Sequence, residues 1–89
     1  MLFRSIENAN QTIIVSPNPA TDIIRIDLGP NTNRVESIHM YDISGREVYQ
    51  MAGNESKNYT ISRNNHQSGT YFIRIELENG DVNKKVILQ

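Results

Sequence analysis

Thr70-Tyr71-Phe72-Ile73-Arg74-Ile75-Glu76-Leu77-Glu78 alternates without a break, and Asn79-Gly80 follows it. Tyr71, Ile73, Ile75 and Leu77 fall on one face. Phe72, Arg74, Glu76 and Glu78 fall on the other. A period of two with one apolar face marks a half-buried β-strand. Asn-Gly is the strongest two-residue hairpin signal, because both positions tolerate positive φ. Asp81 to Leu88 is therefore expected to return as the antiparallel partner. Its facing stays open, since Lys84-Lys85 interrupts it and Val86-Ile87-Leu88 is apolar throughout.

Working outward, Arg63 to Gly69 is polar and breaks pairing, and Asn58 to Ser62 reads as a short strand with Tyr59 and Ile61 inward. Val35 to Tyr41 and Glu47 to Met51 read as a hairpin, with Ile38, Met40 and Val48 inward. The turn Asp42-Ile43-Ser44-Gly45-Arg46 joins them, with Gly45 at positive φ. Gly29 to Asn33 is a breaker cluster. Asp22 to Leu28 alternates again, with Ile24, Ile26 and Leu28 on the inner face. Thr12 to Val15 is β-branched and apolar, hence a strand. Between these last two lies Ser16-Pro17-Asn18-Pro19-Ala20-Thr21. Each proline fixes φ, lacks a donor and pushes its predecessor toward extended backbone. This segment is expected to be a stiff corner that cannot pair as a central strand.

About seven short strands with regular turns, and no helical periodicity, predict an all-β domain: an antiparallel β-sandwich, with a closed barrel as the alternative. Eighty-nine residues allow one domain. Such a chain buries only about 60–65% of its unfolded surface, so one core is the limit. Residues 12–89 form that domain. Residues 1–11 have no clean periodicity and read as a linker or lead-in from a larger protein.

Composition excludes several classes. There is no cysteine, hence no disulfide framework and no cysteine-ligated zinc. Net charge is −1 with signs interspersed, which argues against a nucleic-acid or membrane-surface binder. No apolar run approaches the roughly 18 residues of a transmembrane helix, and Met1 to Ser5 does not begin a secretory signal peptide.

Candidate chemistry is thin. His39 and His66 lack further ligands at metal-binding spacing. The carboxylates Asp22, Asp27, Asp42, Glu47, Glu76, Glu78 and Asp81 are scattered over turns and outward faces, not paired across a cleft. No nucleophile elbow or phosphate loop is present, and the glycines read as positive-φ turn residues. No catalytic residue, metal or cofactor is expected. Lys84-Lys85 reads as an edge-blunting pair. Outward Tyr41 and Phe72 read as cross-strand packing partners rather than a sugar platform.

Four segments carry a family resemblance. Val15-Ser16-Pro17-Asn18-Pro19-Ala20-Thr21-Asp22 before Ile-Ile-Arg-Ile resembles the opening of the C-terminal sorting domain of the type IX (Por) secretion system of Bacteroidetes. Ile38 to Arg46 resembles its "YD-x-x-G" hairpin, Gly69 to Ile75 its "G-x-Y" strand, and Lys84-Lys85-Val86-Ile87 its terminal lysine-bearing strand. The resemblance runs from about residue 13 to 89, in order. One departure is His66, where the family usually has leucine three residues before the glycine.

The resemblance implies a seven-stranded Ig-like sandwich with no enzymatic activity, joined covalently to an upstream cargo. The protein would be exported through the periplasm to the cell surface or medium. Its partners would be the outer-membrane secretion machinery and a sortase-like surface peptidase that cuts in the lead-in, after which the cargo is anchored. Pro17, Asn18, Pro19, Gly45, Gly69, Tyr71, Lys84 and Lys85 would be the sorting-motif positions. The competing reading is an Ig-like or carbohydrate-binding accessory module of a secreted enzyme or adhesin, which would use Tyr41 and Phe72.

Overall fold

A computed structural model describes residues 13–17, 19–29, 34–63 and 66–89. The strands are β1 (Ile14–Ser16), β2 (Ile23–Asp27), β3 (Val35–Asp42), β4 (Glu47–Ala52), β5 (Asn58–Ser62), β6 (Gly69–Leu77) and β7 (Gly80–Leu88). They form two antiparallel sheets, ordered β1-β2-β5 and β4-β3-β6-β7. The expected lead-in over residues 1–11 lies outside the described residues, as does Asn18.

The inner faces follow from alternation. Ile24 and Ile26 from β2, Tyr59 and Ile61 from β5, Ile38 and Met40 from β3, and Tyr71, Ile73, Ile75 and Leu77 from β6 meet in one buried cluster. Fully burying one isoleucine contributes about 1.5–3 kcal/mol, so this shared layer is what holds the two sheets face to face. Among the described residues the two ladders share no strand, and an isolated bridge between Ala20 and Leu88 ties the corner before β2 to β7. The sandwich is therefore the architecture, and the barrel alternative is set aside.

The facing of β7 is resolved by its register on β6. Val82 opposes Ile75, Lys84 opposes Ile73 and Val86 opposes Tyr71. Val82, Val86 and Leu88 are buried, and Ile87 points out at 39% exposure. Lys84 thus shares the inner-face parity on an edge strand and is half-buried, whereas Lys85 is exposed on the outer face.

Three local expectations are corrected. The β6–β7 turn is Glu78-Asn79, closed by Leu77 opposite Gly80, rather than Asn79-Gly80. Arg34 takes Glu78 out of the ladder: its carbonyl accepts from the Glu78 N–H at 3.1 Å, and its own N–H donates to Glu78 Oε1 at 3.2 Å. On β4, Val48 packs against the core, but so do Tyr49 and Met51. The register slips between Met40 and Tyr41, which pair with Tyr49 and Glu47 and leave Val48 as the extra residue of a bulge. A bulge reverses the parity that alternation assumes. Gly53 does not have the positive φ expected of every glycine. A Cβ there would lie 1.9 Å from the Val35 carbonyl oxygen, so glycine is required by close approach of two backbones.

The corner after β1 carries the chain from the three-stranded sheet to the edge of the four-stranded one. The Ala20 N–H donates to the Ile87 carbonyl at 2.8 Å, and the Gln89 N–H donates to the Ala20 carbonyl at 2.9 Å. The chain then returns to β2. The starts of β2, β4 and β6 and the ends of β3, β5 and β7 share one end of the sandwich, the upper end. β1 begins opposite Asp27, the last residue of β2, and so starts at the lower end.

Candidate functional site

The turn between β3 and β4 is built by one carboxylate. Asp42 Oδ1 accepts from the Ser44 hydroxyl at 2.6 Å, the Ser44 N–H at 3.0 Å and the Arg46 N–H at 3.1 Å. Its other oxygen lies 3.3 Å from Arg46 Nε. The Ser44 hydroxyl first, then the two backbone donors and the Arg46 charge, hold the Asp42 carboxyl below its usual range. Gly45 takes φ 90°, a conformation that suits glycine. The "YD-x-x-G" residues therefore have a complete local explanation as a self-capped turn.

The "G-x-Y" residues form a corner. Tyr71 is buried at the start of β6, and its hydroxyl donates to the Gln67 carbonyl at 2.7 Å. A tyrosine early in the sixth strand that bonds back a few residues upstream is the tyrosine corner of Ig-type sandwiches. His66, the departure from the family pattern, packs its ring against Tyr71 with centroids 6.0 Å apart.

Arg63 reads in the sequence as one of several polar loop residues, yet it ties this end together. Nε donates to the His66 carbonyl at 3.0 Å, and Nη2 donates to Ser68 Oγ at 2.9 Å. Nη1 donates to the Thr21 carbonyl at 3.0 Å and to the Gln89 carbonyl. One guanidinium fork thereby joins the exit of the proline corner, the loop leading to Gly69 and the residue after β7. No sequence signal marks it, because its partners include backbone carbonyls distant along the chain.

The structure therefore brings Gly45, Gly69 and Tyr71 to the upper end, and Pro17 and Pro19 are exposed on the corner that leads to Ala20. A concavity of about 430 Å³ opens between the two turns, lined by Ile43, Ser44, Arg46, Gln67, Gly69 and Tyr71 among others. Among the described residues the ladder of β3 on β6 stops at Asp42 opposite Tyr71, while Gly69 and Thr70 pair only with β7. Lys84 and Lys85 are not part of this group. They sit in mid-strand opposite Ile73 and Phe72 and project to opposite faces.

The outer face of the four-stranded sheet holds a polar network. His39 Nδ1 is 2.7 Å from Glu47 Oε1, and its Nε2 is 3.0 Å from Ser37 Oγ. The Ser37 hydroxyl donates to Glu76, whose other oxygen accepts from Arg74 at 2.7 Å. The Ser37 hydrogen bond first, then the charges of Arg74 and His39, lower the Glu76 pKa. Tyr41 and Phe72 are direct cross-strand partners, with His39 stacked on Tyr41 at 6.3 Å and the Arg74 guanidinium 5.8 Å from the same ring. Tyr41 is thus engaged within the sheet by both neighbours, which leaves Phe72 as the one exposed ring of that pair, at 40% exposure. Among the described residues no group of three His, Cys, Asp or Glu side chains is placed to share a metal ion.

Solved structures share this architecture. A DUF3244-family protein from Bacteroides vulgatus, with an immunoglobulin-like β-sandwich fold, superposes at a TM-score of 0.73 with 18% identity, over 93% of this chain and 88% of that one. Two variants of the superoxide reductase neelaredoxin from Ignicoccus hospitalis superpose less closely. One gives a TM-score of 0.62 at 13% identity over 88% of this chain and 78% of that one. The other gives 0.60 at 14% identity over 93% and 84%. At these identities the likeness shows the Ig-like fold alone. No curated protein sequence matches the chain. The family model for the secretion-system C-terminal sorting domain matches residues 14–89, from the first residue of β1 through the Arg63-held end of β7, and the chain therefore belongs to that type IX sorting-domain family.

Proposed function

We propose that this domain is a non-catalytic export signal, carried behind an upstream cargo and read in its folded form by the type IX machinery at the outer membrane. The observation that carries the reading is the family match over residues 14–89, which takes in all four motif segments. In this reading the cargo passes through the periplasm and reaches the cell surface or medium. A sortase-like peptidase cuts in the lead-in before residue 12, and the released cargo is anchored. Pro17, Asn18, Pro19, Gly45, Gly69, Tyr71, Lys84 and Lys85 are the motif positions.

The test is a Sec-targeted fluorescent reporter fused ahead of residues 1–89 in a bacterium with a type IX system. The reporter should reach the surface or medium, and should stay in the periplasm when the system is disabled or residues 12–89 are removed. Equal export with and without the domain would end the proposal. The accessory-module reading would instead require saturable glycan binding that is lost in Phe72→Ala.

A further inference from the structure

We propose that the machinery docks on the upper end of the sandwich, a composite surface that Arg63 assembles from three separate parts of the chain. The inference rests on the sorting reading above and specifies which surface is read.

Four observations support it. First, the Arg63 fork bonds Thr21, Ser68 and Gln89, so the proline corner, the loop before Gly69 and the end of β7 hold their relative positions through one side chain. These segments approach each other only in the folded domain, and no linear peptide presents them together. Second, the surface is concave, and at Gly69-Thr70 β6 has a strand partner on one side only among the described residues, which makes a short strand edge. Such an edge offers backbone donors and acceptors to an incoming extended segment. Third, β1 begins at the lower end. The described chain therefore enters the domain at the end opposite this surface. Fourth, the chemistry fits a protein partner. Among the described residues the charges at this end are Asp22, Asp42, Arg46 and Arg63, with Glu47 and Lys85 in one row across the sheet just below, so the signs are mixed. An anionic lipid surface would call for a cationic cluster, and a sugar for an exposed ring. Tyr71, the tyrosine lining the concavity, is buried.

Arg63 acts as a positioning residue, and Gln67 reports on the surface itself. The Gln67 side chain is exposed, and its backbone carbonyl is used in the fold by Tyr71. Gln67→Arg should therefore leave the melting temperature of the full chain unchanged and lower export of the reporter fusion by about tenfold, as a centrally placed contact would. Asn79→Arg, the same change at the lower end, should be exported normally. Arg63→Met should lower export more than Val82→Ala, a core truncation at the lower end, when the two are compared at matched loss of melting temperature. Normal export of Gln67→Arg, or an Arg63→Met defect no larger than that of Val82→Ala, would overturn the proposal. Failure of the unmodified fusion to be exported would instead remove the sorting reading on which the proposal stands.

Discussion

Tyr71 shows how a motif residue can be accounted for by the fold. Its ring is buried and its hydroxyl closes the loop onto Gln67. Tyr71→Phe keeps the ring and loses one neutral hydrogen bond, worth about 1 kcal/mol. Gln67 is exposed, so water can replace the lost donor and the larger penalty of a buried orphan carbonyl does not apply. For a domain of this size about 1 kcal/mol lowers the melting temperature by roughly 4–8 °C. Thermal unfolding followed by circular dichroism checks this, and a drop of more than about 15 °C, well beyond that range, would show that the corner does more than one bond can explain. Arg63 differs in kind. Its bonds join segments that are not neighbours in sequence, so its loss should be felt in how three surfaces sit together.

All seven strands could be read from the sequence, because each is a short run with its own alternation or β-branched content. In β6 every assignment of inner and outer face between Tyr71 and Leu77 agrees with the structure. The resemblance likewise placed the family segments in their order. What could not be read depends on contacts between elements. The bulge at Val48 has no sequence mark and turned Tyr49 and Met51 inward. The facing of β7 awaited its register, and the Arg63 fork awaited the loop geometry. Gly53 belongs to the same group. It looks like any loop glycine, but the β4 exit lies against β3, and its N–H donates to the Glu36 carbonyl at 2.9 Å. Gly53→Ala drives a methyl into backbone that cannot rotate away, so its cost should exceed the roughly 1–3 kcal/mol of ordinary overpacking. Chemical denaturation of the variant measures it. A loss below about 1 kcal/mol, the low end of that range, would mean that β3 and β4 part more easily than their ladder indicates.

At the scale of the whole molecule, the four-stranded sheet ends in β7 as an edge that a second copy could extend. Native sheets blunt such edges with lysines, inward-pointing charges or covering segments. Here β7 has two of these devices. The Ala20 bridge covers the end near Leu88. Lys84 places a charge on the inner-face parity between buried Val82 and Val86. An apolar residue at that position would complete an uninterrupted inner row of Val82, residue 84, Val86 and Leu88. Lys84→Ile would then add buried apolar area worth about 1.5–3 kcal/mol if fully covered. The variant should unfold at equal or higher temperature as a dilute monomer. It should also lose the charge that discourages a second copy from pairing along the edge. Sedimentation velocity over a concentration series separates these effects: the unaltered chain should remain monomeric where Lys84→Ile associates. A Lys84→Ile chain that stays monomeric across the series would show that the Ala20 cover alone protects the edge, and would leave export as the role to test for this lysine.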